Sequence, residues 1–125
     1  MPALNFQARF AGAIKSMEKR QTIRAAGKRK PPVAGDTLYL FTGMRGAGCT
    51  RLATVVCLSV EQIRVNAREK TVSMVRQGQV PFWHEIEREE VEAIALADGF
   101  HNVDDFFEFF AKQYGNGING VLIKW

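Results

Sequence analysis

The run Lys19-Arg20-Gln21-Thr22-Ile23-Arg24 sets an amine, a hydroxyl and two guanidinium groups side by side. An amine that takes up a proton, beside a hydroxyl that attacks, is the raw material of nucleophilic catalysis. The same cations are equally suited to gripping phosphate. In an extended chain alternate side chains share a face, so Arg20, Thr22 and Arg24 point one way and Lys19 and Ile23 the other. A turn at Lys19, where a first helix ends, swings its amine round towards Thr22. The competing reading is a basic helix C-terminus, favourable to the helix dipole, followed by an edge strand. Taken alone, the segment favours that second reading.

Other candidate chemistry is thinner. Gly43-Met-Arg-Gly-Ala-Gly48-Cys49-Thr50 follows a strand and has the outline of a phosphate-binding loop. Cys49 stands where that motif needs its lysine, and the next segment reads as a strand where a helix is required. What survives is a loop between strands carrying Arg45 and Arg51. His84 and His101 form no familiar metal-ligand spacing, so no metal site is expected. Cys49 and Cys57 match neither a metal pair nor a disulfide framework.

Charge is segregated along the chain. Between Lys15 and Lys30 stand seven bases against Glu18 alone, and between Glu85 and Glu108 nine acids against Arg88 alone. A net charge of +4 distributed in this way gives one basic face suited to a polyanion and one acidic face.

The elements that must position these groups follow from periodicity. Phe10, Ala13, Ile14 and Met17 predict a helix over Gln7–Met17, followed by a Gly- and Pro-marked loop from Ala25 to Asp36. Alternation predicts strands at Thr37–Phe41, Leu52–Val60, Ile63–Val65 and Thr71–Val75. A helix over Glu87–Ala97 places Val91, Ile94 and Ala95 on one side, with Asp98 continuing that side at its end. Val103, Phe106, Phe107, Phe110 and Tyr114 make the clearest stripe, with Asn102 placed to cap it and Gly115 to end it. Val121–Trp125 closes the chain as a strand. With 125 residues, 46% apolar and 24% charged, the composition is that of one globular domain with a core of its own. No signal-like start and no bilayer-length apolar run stands out, which points to the cytoplasm and away from membranes. Strands in the middle with helices at both ends give an α+β class, suited to a small, curled, partly closed barrel.

Phe6-x-x-x-Phe10, Ile14, Lys19-x-x-Thr22-Ile23-Arg24 and Gly35-Asp36 before a strand resemble, in order and spacing, the ASCH domains. Ala95-x-x-Asp98-Gly99-Phe100 and the helix ending Tyr114-Gly115 resemble the helical half of the same domains. The resemblance covers nearly the whole chain as a single domain, residues 1–125. It implies a small, mostly antiparallel PUA-like β-barrel flanked by about three helices, and work on RNA or a modified nucleoside. Some small bacterial ASCH proteins similar to this chain are N4-acetylcytidine amidohydrolases that use a lysine, a threonine and a glutamate. The motif match puts the lysine on Lys19 and the threonine on Thr22. It puts the glutamate on Asp98, one methylene shorter. Other members are metal-dependent ribonucleases.

Amide hydrolysis needs a nucleophile, a proton acceptor and stabilisation of the oxyanion. On the resemblance, Thr22 supplies the hydroxyl and Asp98 orients the amine or the leaving group. Lys19 takes the proton, its pKa lowered by Arg20, Arg24 and partial burial. No cofactor is expected. Nucleic-acid contacts fall to Arg20, Arg24, Lys28, Arg29, Lys30, Arg45 and Arg51. The expected function is an RNA- or modified-nucleoside-binding domain, with N4-acylcytidine hydrolysis as its candidate reaction. The alternatives are a ribonuclease and a non-catalytic bacterial or phage adaptor that meets a protein through the acidic helical half.

Overall fold

The structure, a computed structural model, describes residues 2–46, 48–76 and 81–125. The order of elements is β1 (Ala3–Phe6), α1 (Ala8–Lys15), β2 (Gln21–Ala25), β3 (Thr37–Thr42), β4 (Thr50–Val56), β5 (Ser59–Asn66), β6 (Thr71–Arg76), β7 (Phe82–Glu85), α2 (Arg88–Ala97), α3 (Val103–Tyr114) and β8 (Gly117–Lys124). The class is α+β. One sheet has the order β1-β3-β4 and the other β2-β8-β5-β6-β7. β1 runs parallel to β3, and all the other ladders are antiparallel.

Alternation does its expected work in β3, where Leu38 and Leu40 are buried and Tyr39 and Phe41 are only half-buried. The strand expected over Leu52–Val60 is instead two strands of different sheets. At the corner the Cys57 N–H donates to the Asp36 carbonyl beside β3, and the Leu58 N–H donates to the Lys124 carbonyl of β8, each at 2.8 Å. Apolar residues on both sides of such a corner read as one run, because periodicity carries no signal for a change of hydrogen-bond partner.

The small, partly closed PUA-like barrel that was expected is not what the chain forms. Its strands make two open sheets, and among the described residues no ladder joins β1 to β2. Across that gap Arg24 reaches from β2 and donates from Nη2 to the Asn5 carbonyl of β1 at 2.8 Å. Paired strands would stand about 4.8 Å apart. The gap is instead open and lined by side chains, Asn5 and Phe6 from one edge and Thr22 and Arg24 from the other.

Helix α3 covers the core from one side, lying against β8, β5 and α2. Its buried stripe is Phe106, Phe107 and Phe110, and Asn102 Oδ1 caps its start by accepting from the Asp105 N–H at 2.8 Å. The rings mesh edge-on and tilted, with centroids 5.4 Å apart for Phe100 and Phe106 and 4.9 Å for Phe106 and Phe110. Such contacts add to the area buried by each ring. Among the described residues no helix is long and apolar enough to cross a membrane.

Candidate active site

Lys19 owes its position to the end of α1. Met17 takes a left-handed conformation (φ 70°), and the Lys19 N–H then folds back onto the Ala13 carbonyl at 2.9 Å. Helix α1 therefore stops two residues before its expected end, and the chain turns so that the lysine stem runs inward. The result is a lysine side chain only 2% exposed. Strand β2 begins two residues later, its pairing with β8 extended by the Trp125 N–H donating to the Arg20 carbonyl.

Asp98 arrives from the opposite direction, as the residue that caps the C-terminus of α2. The Phe100 N–H donates to the Ala95 carbonyl and the Gly99 N–H to the Leu96 carbonyl, the paired bonds of a Schellman ending. Gly99 carries the positive φ this ending requires (97°), and a Cβ there would stand 3.1 Å from the Phe10 ring and 3.3 Å from the Lys19 stem. The Asp98 carbonyl is left facing the lysine and accepts from Lys19 Nζ. Its carboxylate, 5% exposed, places Oδ1 3.3 Å from Lys19 Nζ. That oxygen receives no well-aligned hydrogen bond among the described residues. Lys19 Nζ also lies over the Phe10 ring, 4.9 Å from its centre.

Burial lowers the Lys19 pKa from its usual 10.5; the Asp98 carboxylate opposes the shift, and Arg24 and Arg9 add to it. Burial likewise pushes the Asp98 carboxyl upward, against the pull of Lys19. Desolvation penalises both charged forms, so the two proton affinities move towards each other. The two groups therefore titrate as a coupled pair.

Thr22, the second residue of β2, sits opposite Ile123 of β8 and is 5% exposed. Its Oγ1 accepts from Arg24 Nε at 3.2 Å. Lys19, Thr22, Arg24 and Asp98 line one cavity of about 210 Å³, walled by Phe6, Phe10 and Phe100 with Gln7, Gln113 and Tyr114 also lining it. Drug-sized ligands fill about 300–1,000 Å³. This cavity is smaller than that range, of a size for a fragment.

The other cations expected to touch nucleic acid divide into two groups. Arg24, Arg29, Lys30 and Arg45 line a second, larger groove of about 660 Å³, which shares Arg24 and Asn5 with the cavity. Lys28 is exposed outside that lining, and Arg20 donates from Nε to the Trp125 carbonyl at 3.2 Å. Arg51 is exposed on β4, opposite Phe41, and joins neither cavity nor groove. In the Gly43–Thr50 segment Ala47 lies outside the described residues, and the element that follows it is a strand. Among the described residues no three His, Cys, Asp or Glu side chains come together as a metal-ligand set.

Sequence reasoning missed the aromatic walls and Gln21. The Gln21 side chain is buried and its Nε2 donates to the Ile94 carbonyl near the end of α2 at 3.4 Å. The spacing of Phe6 and Phe10 was the available signal, but it reads equally as core. Compared with known proteins, the chain matches no family model, no curated protein and no solved structure.

Proposed function

We propose that the chain is an ASCH-type protein that binds an N4-acylated cytidine in the Lys19 cavity and hydrolyses its amide. One observation carries this reading: a buried amine, a buried carboxyl and a buried hydroxyl line a cavity of fragment size. Neutral Lys19 takes the Thr22 proton as Oγ1 attacks the acyl carbon. The resulting ammonium then protonates the leaving exocyclic amine. Asp98 orients the Lys19 amine through its carbonyl and carboxylate. A water hydrolyses the acyl-threonine, releasing the acid and restoring the hydroxyl. The aromatic walls take the flat base and keep bulk water from the amine.

The test is release of acetate from N4-acetylcytidine by the purified protein. The pH profile adds a second check. A lysine base works when deprotonated, and its pKa is lowered, so the rising limb of kcat/KM falls below pH 10.5. Asp98→Asn removes the charge that raises the Lys19 pKa, and the limb moves lower still. A limb at or above the ordinary lysine value, or one indifferent to Asp98→Asn, contradicts Lys19 as the base.

The groove favours a second reading, RNA binding without turnover. Arg29, Lys30 and Arg45 lie along it next to the cavity. On this reading single-stranded RNA binds with an affinity that falls steeply with salt. Changing those three residues together to Ala lowers the slope of log K against log salt by about 2, near 0.7 per phosphate contact. An unchanged slope in a salt titration of the triple variant removes the groove from RNA contact.

A further inference from the structure

Arg24 differs from the groove cations Arg29, Lys30 and Arg45 because it also lines the cavity and hydrogen-bonds to Thr22 within it. Nε donates to Thr22 Oγ1 at 3.2 Å, and Nη2 donates to the Asn5 carbonyl at 2.8 Å. The guanidinium carbon lies 4.5 Å from the centre of the Phe6 ring. That Nε–Nη2 edge is one an arginine uses to grip an oxyanion in bidentate fashion. Here it is committed to a hydroxyl and a backbone carbonyl, and the flat face is committed to a ring. An arginine gathered in for phosphate would keep this edge open.

We propose that Arg24 is a catalytic residue of the hydrolysis, stabilising the negative charge that develops on Thr22 Oγ1. The inference rests on the amidohydrolase reading above and deepens it. A hydroxyl oxygen offers two lone pairs and one proton. With one lone pair taken by Arg24 Nε, the proton is directed towards a base and the second pair is left to attack. As the O–H bond breaks, its proton passes to the Lys19 amine, and the new O–C bond forms at the acyl carbon while its carbonyl opens to an oxyanion. The carbonyl then re-forms, the C–N bond breaks, and the proton goes from Lys19 to the departing nitrogen. In the second half, Lys19 takes a proton from the water that adds to the acyl carbon, and the O–C bond breaks as the carbonyl re-forms. The charge returning to Oγ1 again faces the guanidinium until Lys19 returns that proton and restores the hydroxyl. A fixed cation at this oxygen lowers both barriers because it is oriented before the charge appears.

The experiment measures kcat and KM for acetate release from N4-acetylcytidine in the unaltered protein and in Arg24→Gln, Arg24→Lys and Arg24→Ala. Arg24→Gln lowers kcat by about 10²–10³-fold, the usual loss of an oxyanion donor, with KM little changed. Arg24→Lys recovers only a small part, since one ammonium cannot replace the planar fork that serves both Thr22 and Asn5. Millimolar guanidinium ion restores part of kcat to Arg24→Ala. Arg24 also lowers the Lys19 pKa, so its loss moves the rising limb of the pH profile upward. Three results overturn the assignment: an unchanged kcat, a raised KM alone, or inactivity in every variant with no guanidinium rescue. No acetate from the unaltered protein sinks the hydrolase reading itself. Turnover there with an unaltered kcat in Arg24→Gln sinks only the role of Arg24.

Discussion

Thr22→Ala is expected to lower acetate release from N4-acetylcytidine by about 10⁴-fold or more, because it removes the atom that forms the covalent bond. Lys19→Ala is expected to cost about 10²–10⁴-fold through loss of proton transfer. Residues that act in one step do not add, so the double variant should be no slower than Thr22→Ala alone. The two single variants differ in stability. Thr22→Ala removes a small side chain, whereas Lys19→Ala leaves Asp98 buried beside an empty space, at about 3–5 kcal/mol. Kinetics on the double variant, with thermal melts of each single variant, check both statements. A double variant much slower than Thr22→Ala means that the two residues act in separate steps.

The largest expected loss of stability away from the cavity chemistry is at Phe110, which is 1% exposed. Its ring centre lies 4.9 Å from that of Phe106 and 5.4 Å from that of Phe109. Phe110→Ala should cost about 3–5 kcal/mol, through lost transfer energy and the cavity left behind. Since Phe110 also lines the Lys19 cavity, the variant should lose substrate affinity even where it remains folded. Urea denaturation reads the first effect; a loss below about 1 kcal/mol would mean that neighbouring rings collapse into the space.

The bounds of helix α3 were legible from one stripe, one cap and one terminating glycine, although Tyr114, expected in that stripe, is exposed. Strand β1 and strand β7 were not, being four residues each and too short for alternation to register. The barrel expectation failed at a relation between strands, since among the described residues no ladder joins β1 to β2, and no local pattern encodes such a relation. Within the site, Thr22 and Arg24 share a face as alternation requires. Lys19 joins them because it precedes the strand and follows the left-handed turn at Met17. Asp98 had no bottom-up signal beyond its place at the end of an apolar helix face. Its approach to Lys19 depends on a Schellman turn and on Gly99, whose missing side chain makes room for the lysine stem. The basic cluster was legible as charge, but only the fold shows that Arg24 lines both the cavity and the groove, whereas Arg29 and Lys30 line the groove alone.

The central claim is that Thr22 Oγ1 carries the acyl group during turnover, and rapid-quench peptide mapping tests it most directly. The protein is mixed with N4-acetylcytidine, quenched in acid within the first turnover, and digested for mass spectrometry. The account predicts an acetyl ester on the peptide containing Thr22 that appears with the first cytidine, decays to acetate, and is absent from Thr22→Ala. Cytidine formed by Thr22→Ala as fast as by the unaltered protein, or acetyl found on the Lys19 amine with none on Thr22, would contradict it.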